Sequence, residues 1–175
     1  MSAIIMKLRR HFLDGLSFDD DISLGEKSKL IQFRAPSPLV KLTWVCDDKL
    51  FSLDINVKGG KPTKSISKLP DSSGFICFEK DYKPDNCVLL DAYGKERIRL
   101  TVPWELTGRD ISQNAKMFFV GMGGPFDDPT TGQKGKFGVS ACIESADDYF
   151  FIATDYYFEL DYHAGKFLWA KDIRI

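Results

Sequence analysis

The sequence has few of the residues that most catalytic and metal sites require. It holds two histidines and four cysteines in 175 residues. It contains no C-x-x-C pair, no histidine with the spacing of a zinc ligand, and no G-x-S-x-G motif. We therefore expect no metal, no cofactor and no enzymatic activity. A Cys–His pair assembled in space from Cys87 and His163, or a pair of carboxylates, stays open.

Long apolar segments are also missing. No window approaches the roughly 18 apolar residues that a membrane-spanning helix needs. The amino-terminal stretch MSAIIMKLRRHFLDGL places its basic residues after a short apolar run, whereas a secretory signal has the opposite order. We therefore expect a cytoplasmic protein without a membrane partner.

The chain carries no large excess of charge of either sign. Its formal net charge is −1, which gives it no electrostatic footprint for nucleic acid. Residues 58–68 hold four lysines and no acid, whereas residues 139–165 hold six acids and no lysine or arginine. The acidic segment is the aromatic one, so no segment combines the basic and aromatic residues that stack nucleic-acid bases. The two segments indicate either solvated faces or an acidic surface for a basic partner.

What the sequence does contain is a strong alternation of apolar and polar residues. KLFSLDINV (49–57) and ERIRLTV (96–102) place apolar side chains at every second position, as half-buried strands do. Short turn signals, among them Asp47-Asp48 and Lys58-Gly59-Gly60, separate such runs at intervals of about ten residues. This pattern predicts a mainly β fold, an antiparallel β-sandwich or open barrel with one or two short helices, in a single domain over 1–175.

The predicted elements follow from the same pattern. Helix is expected over 3–13, within an amino-terminal helical segment at 1–18, and around 104–115. A serine- and lysine-rich loop is expected between Pro62 and Pro70. The four cysteines are expected to be reduced and buried. Strands are expected near 28–34, 39–46, 50–57, 74–80, 87–92, 96–102, 116–121, 136–145, 149–160 and 166–174.

One segment resembles a known repeat. ELDYHAGKFLWAKDI (159–173) is similar to the hairpin unit of quinoprotein-type propeller repeats, which share a Leu-Asp pair, a Gly-Lys turn and a following tryptophan. LLDAYGKERIRL (89–100) has the same turn without the tryptophan. A propeller needs several blades of about 40 residues each. The resemblance therefore implies two independent hairpins and assigns no functional residue.

The glycine-rich segment FFVGMGGPFDDPTTGQKGKFG (118–138) needs separate treatment. Gly135-Lys136 is followed by Phe137 rather than by Ser or Thr, so the segment lacks a Walker-type phosphate loop. Asp127 and Asp128 lack the alternating acids and final glutamate of a calcium loop. Ordinary turn chemistry explains both aspartates, and the length of the connection makes them candidate loop contacts.

The carboxyl-terminal block is the most aromatic part of the chain. YFFIATDYYFELDYHAGKFLW (149–169) carries nine aromatic residues among its acids. Tyrosine is enriched where a side chain is partly buried and partly wet, as at protein interfaces. The predicted contacts with a basic protein partner are Asp147, Asp148, Asp155, Tyr156, Tyr157, Glu159, Asp161 and Tyr162.

These features favour a non-enzymatic protein-binding module. Its most concrete form is a small bacterial immunity protein that neutralises a cognate toxin through the acidic, aromatic surface. The alternative is a small-molecule-binding β-barrel or hydrolase whose pocket is gated by the loop at 121–136. A structural subunit of a larger assembly is a third hypothesis.

Overall fold

The protein consists almost entirely of β-strands. The computed structural model describes residues 2–20, 37–110, 115–144 and 156–174. Within them a short 3-10 helix, Trp104–Thr107, stands among fourteen strands. The strands are β1 (Met6–Phe12), β2 (Ser17–Asp19), β3 (Leu39–Cys46), β4 (Lys49–Asp54), β5 (Val57–Lys58), β6 (Lys61–Pro62), β7 (Lys64–Lys68), β8 (Gly74–Glu79), β9 (Cys87–Asp91), β10 (Glu96–Leu100), β11 (Lys116–Gly123), β12 (Gly138–Glu144), β13 (Tyr156–Asp161) and β14 (Lys166–Asp172).

The described strands form antiparallel sheets, which confirms the predicted fold class. Three sheets have four strands, in the orders β2-β1-β3-β4, β10-β9-β8-β7 and β11-β12-β13-β14. A two-stranded sheet joins β5 and β6. Short connections favour this arrangement, because antiparallel strands can be joined by tight hairpins whereas parallel strands need long crossovers.

The chain divides into two compact units. The first comprises Met1–Cys77 and Leu90–Arg97. Its core is built around Trp44, whose ring meets Phe75 edge-on at 4.8 Å and whose indole N–H donates to the Ala92 carbonyl at 2.8 Å. β3 and β4 are joined by Asp47 and Asp48, both with positive φ, as the two-residue turn of a hairpin requires.

The second unit comprises Phe78–Leu89 and Ile98–Ile175. Its central sheet packs Phe119 and Phe158 against Phe167. Asn86 is buried, and its side chain both accepts from the N–H of Phe119 (2.7 Å) and donates to the carbonyl of Phe119 (2.9 Å). The Asn86 amide thereby satisfies backbone groups of β11 that β12 does not reach. A single domain over the whole chain stays a prediction.

The predicted amino-terminal helix is wrong. Residues 6–12 form β1, which pairs with both β2 and β3. The spacing of three between the buried Ile5 and Leu8 resembles a helical period. It arises from a bulge, because β1 has one residue more than β3 between Met6 and Arg9, and Lys7 takes a φ of 52°.

Two further predictions differ from the structure. The expected loop between Pro62 and Pro70 contains β7, whose Ile66 is buried. The helix expected over 104–115 is limited in the described residues to the 3-10 turn, which ends at Gly108 with a φ of 68°. The strand expected at 28–34 and the first half of that at 149–160 lie outside the described residues.

Candidate functional site

β13 is buried on both of its faces. Tyr156, Phe158 and Leu160 point to one side of the sheet, and Tyr157 and Glu159 point to the other, because side chains alternate along a strand. All five are at most 4% exposed. Something must therefore cover the face that carries Tyr157 and Glu159.

The cover is the connection between β11 and β12, residues 124–137, which we call the cover loop. The ring of its Phe126 meets Tyr157 edge-on, with the centroids 5.1 Å apart. The ammonium group of Lys171 lies 5.2 Å from the centroid of Phe126, within the range of a cation–π interaction. The glycine-rich segment is thus folded back onto its own sheet.

Glu159 fixes the cover loop in place. The backbone N–H groups of Lys136 and Phe137 donate to Oε1 of Glu159, at 2.5 and 3.2 Å, and the Tyr157 hydroxyl donates to Oε2. Burial, and then the hydrogen bond to Glu159, raise the pKa of the Tyr157 hydroxyl well above its usual range. The hydroxyl is therefore a proton donor to the carboxylate at neutral pH.

Two glycines are required by this packing. A side chain at Gly138 would overlap the ring of Tyr157, and one at Gly135 would overlap the carbonyl of Phe126. Only glycine lets the backbone approach so closely. The glycine content that resembles a phosphate loop in the sequence is explained by contact with β13.

The two aspartates of the cover loop act in different ways. Asp128 accepts from the N–H of Thr130 (2.9 Å) and from the hydroxyl of Thr131 (2.8 Å), so its role is to cap a turn. The Thr130 hydrogen bond lowers the pKa of Asp128. Asp127 forms an exposed ion pair with Lys134 at 3.4 Å. Their predicted role as contacts with a ligand or partner stays a prediction.

A cavity of about 370 Å³ lies between the cover loop and β14. Its lining includes the buried Glu159 and the half-buried Trp169, and a bulge in β14 shapes its wall. β14 has one residue more than β13 between the pairs Glu159–Trp169 and Leu160–Phe167. The remaining lining residues are Asp128, Gln133, Lys134, Lys136 and Leu168.

The structure separates the predicted partner contacts into three groups. Tyr156, Tyr157 and Glu159 are buried, so none of them lies on the outer surface of the sheet, although Glu159 lines the cavity. Asp161 is exposed and Tyr162 is half-buried, both near the β13–β14 turn. Asp147, Asp148 and Asp155 lie outside the described residues.

Tyr156 and Asp161 have internal roles. The Arg109 guanidinium donates to the Tyr156 hydroxyl at 2.9 Å, and Arg174 lies over the ring at 5.5 Å. Asp161 Oδ1 accepts from the N–H groups of His163 and Ala164, both at 3.1 Å, and so caps the hairpin turn predicted from the sequence. Tyr156 and Asp161 therefore contribute to the acidic, aromatic composition of this segment because they stabilise the packing and the turn.

Sequence reasoning placed a pocket beside the loop at 121–136 only in its alternative hypothesis, and it missed most of the lining, including Trp169. The signal was present in the three consecutive apolar residues Phe167, Leu168 and Trp169. A regular strand would place Phe167 and Trp169 on one face and Leu168 on the other, so neither face would be polar. The bulge solves this conflict by leaving Leu168 exposed while Trp169 joins the face of Glu159.

The other candidate catalytic and metal-binding residues do not form a site in the described part of the chain. The four cysteines, all among the described residues, are buried and form no disulfide, as predicted. Cys87 is fully buried, whereas His163 is exposed in a hairpin turn. Within residues 2–20, 37–110, 115–144 and 156–174, no three His, Cys, Asp or Glu side chains come together as a metal site. None of the helical structure in the same residues is long and apolar enough to cross a membrane.

Comparison with known proteins identifies the fold. The chain matches no protein family, and no curated protein matches its sequence. One solved structure, that of Tne2 in complex with Tni2, contains a chain of similar fold, with a TM-score of 0.67 and 14% sequence identity. The match covers 98% of this chain and 100% of that chain. The likeness establishes the fold of this chain, and the solved structure that shares it is a complex of Tne2 with Tni2.

Proposed function

We propose that the protein is a non-enzymatic binding module that neutralises a protein partner, as a small cytoplasmic immunity protein neutralises a toxin. The full-length likeness to a chain of the Tne2–Tni2 complex is the observation that carries this proposal. Because the match covers 98% of this chain and 100% of the other, the comparison extends over the whole fold, and the solved structure contains a second protein.

The charge distribution supports a basic partner. Residues 139–165 carry six acids and no lysine or arginine. Asp161 is exposed at the β13–β14 turn, whereas Glu159 lines the cavity. Acidic groups around an interface raise the association rate with a basic protein and disfavour acidic competitors. The proposed contact surface therefore comprises Asp147, Asp148, Asp155, Asp161 and Tyr162, with Asp127 and Asp128 at the cover loop.

The alternative of a loop-gated small-molecule site has one observation in its favour, the cavity itself. The cover loop, however, is held to β13 by hydrogen bonds to Glu159 and by the Phe126–Tyr157 contact. A gate must open at low cost, whereas opening this loop exposes the buried ring of Tyr157 and the buried carboxylate of Glu159. The packing therefore favours a cover loop that stays in place over one that opens as a gate.

The test is co-expression of the tagged chain with the protein encoded immediately upstream of its gene. We expect capture of that protein in a one-to-one complex that survives size-exclusion chromatography. An Asp161→Asn variant keeps the turn cap and removes one charge, and Asp54→Asn on β4 serves as a matched control. Failure to form any complex when both proteins are folded would contradict the proposal.

A further inference from the structure

The cavity beside the cover loop is lined by a buried carboxylate that lacks a cation. Glu159 is 4% exposed, and its three hydrogen-bond donors are a hydroxyl and two backbone N–H groups, all neutral. Within the described part of the chain, no lysine or arginine forms an ion pair with it. Buried charges in proteins are generally paired, because desolvation of a lone carboxylate is costly.

The hydrogen bonds also leave acceptor capacity on this carboxylate. An ionised carboxyl group has about four lone-pair sites, and three are occupied here. The remaining site belongs to Oε2, since Oε1 accepts both backbone N–H groups and Oε2 accepts only the Tyr157 hydroxyl. Because Glu159 lines the cavity, a ligand there can supply the missing donor and the missing charge together.

Trp169 provides a flat apolar surface in the same cavity. Its ring packs against Tyr157 with the centroids 5.5 Å apart, which restricts its movement. Indole is the side chain that interacts best with a cation over its face. A planar, delocalised cation can stack on such a ring while donating hydrogen bonds at its edge, whereas an ammonium group is a compact, strongly hydrated charge.

We propose that this cavity binds a guanidinium group, with Glu159 as its counter-charge and Trp169 as its stacking surface. In the complex of the proposed function, on which this assignment of the ligand rests, the group is an arginine side chain of the basic partner. The cavity of about 370 Å³ has room for one long side chain together with water.

The two lysines in the lining do not make the cavity a binding site for anions. The Lys134 side chain is 89% exposed and forms an ion pair with Asp127, which is not a lining residue. Lys136 is also exposed. Exposed ammonium groups on flexible stems can turn into solvent, whereas the Glu159 carboxylate is held by three hydrogen bonds. An anionic ligand would have to approach this fixed negative charge.

The test is a titration of the full chain with N-acetyl-arginine methylamide, followed by amide and indole chemical shifts in NMR spectra. We expect saturable shifts of the Trp169 indole N–H and of the Lys136 and Phe137 amides. The citrulline analogue, which has the shape of arginine without its charge, should produce none. Inorganic phosphate should not shift the same signals.

Variants separate the site from the fold. Glu159→Gln keeps an oxygen for the two backbone N–H groups and a donor toward Tyr157, and it should weaken arginine binding by about tenfold or more. Trp169→Leu should weaken it as well, and it identifies the indole signal. If Glu159→Gln does not fold, Trp169→Leu decides alone. Lys134→Gln, which removes a competing cation, should leave binding unchanged or tighter.

The outcomes distinguish this inference from the proposed function. Equal binding of the arginine and citrulline analogues, shifts that do not saturate, or unchanged binding by Glu159→Gln and Trp169→Leu would overturn the guanidinium site. Retention of the protein complex in that case would leave the proposed function intact. Saturable arginine binding by a chain that forms no complex with the neighbouring gene product would support the guanidinium site and contradict the proposed function.

Discussion

At the scale of single residues, the protein is organised around Tyr157 and Glu159. Neither resembles a structural residue in the sequence, where both stand in an acidic, aromatic run. In the structure the carboxylate joins β13 to the cover loop, and the tyrosine hydroxyl supplies one of its three hydrogen bonds. These hydrogen bonds offset much of the cost of burying the carboxylate, so the loss of one of them should destabilise the fold.

Tyr157→Phe tests this pair. The substitution keeps the ring against Phe126 and removes one donor to a buried carboxylate, so we expect a loss of about 1–3 kcal/mol in the free energy of unfolding. Urea titration monitored by circular dichroism gives the value. Tyr82→Phe is the control, because Tyr82 is 57% exposed, and it should change stability by less than about 0.5 kcal/mol. Equal effects of the two substitutions would contradict a structural role for the Tyr157 hydroxyl.

Asp128 predicts a specific pH dependence. Its pKa is lowered in the folded chain by the Thr130 hydrogen bond, so ionised Asp128 stabilises the fold above its unfolded pKa of about 3.9. That contribution is lost as the pH falls through the lower, folded pKa. The stability difference between the wild type and Asp128→Asn should therefore be larger at pH 7 than at pH 3. Urea midpoints at both values measure it, and a difference that grows toward pH 3 would contradict the assignment.

At the scale of elements, the cover loop is the feature that buries the second face of β13 in the sheet β11-β12-β13-β14. From the sequence, the length of this loop predicts a role in binding. In the structure the loop packs on β13 and covers it. Gly124 and Gly135 in the loop lie where Tyr157, Phe126 or Glu159 approaches closely, whereas Gly132 has open space. The glycines in and around the loop should therefore differ in their effect on stability.

Gly138→Ala and Gly121→Ala form a matched pair. An added methyl group at Gly138 overlaps the Tyr157 ring, whereas at Gly121 it meets nothing within 4 Å. We expect Gly138→Ala to cost about 1–3 kcal/mol through overpacking, and Gly121→Ala to be neutral or slightly stabilising, by up to about 1 kcal/mol. Thermal unfolding compares the two. A reversed order would mean that the Tyr157 ring does not pack over Gly138 in solution.

The sequence predicts elements well where local and long-range preferences agree. The strand predicted at 39–46 has the bounds of β3, and the turns at Asp47-Asp48 and Gly59-Gly60 have the positive φ values that such turns need. Regular alternation and turn chemistry are local properties, so they can be seen without knowing the partner strand.

The errors occur where a bulge or a contact from elsewhere changes the local period. Ile5 and Leu8 look helical because β1 contains an extra residue relative to β3. The lining of the cavity was missed because the extra residue in β14 redirects Trp169. Glu159 looks like a surface acid, since the loop that covers it comes from more than twenty residues earlier in the chain. These features depend on pairing between distant segments.

At the scale of the whole molecule, the proposal concerns electrostatic attraction to a basic partner. Exposed acidic groups act through long-range forces that salt screens, with a Debye length of about 10 Å at 0.1 M ionic strength and 3 Å at 1 M. The structure of Tne2 in complex with Tni2 shows that a chain of this fold can occur in a two-protein assembly.

Salt and charge variants test this attraction. Between 50 and 500 mM NaCl, the association rate with the partner should fall by about tenfold or more, with a smaller change in dissociation. An Asp147→Asn, Asp148→Asn, Asp161→Asn triple variant should show a weaker salt dependence than the wild type, and an Asp54→Asn variant should not. Stopped-flow or surface plasmon resonance gives both rates. A salt-independent association rate would exclude a charged contact surface.

Neutralisation is the central claim, and a growth assay tests it most directly. Cells that produce the protein encoded immediately upstream should stop growing, and co-production of this chain should restore growth. An unfolded variant with Gly138→Trp controls for expression and should give no protection. If the upstream protein inhibits growth and the folded chain gives no rescue, or if the upstream protein is harmless, the account of this chain as an immunity protein is contradicted.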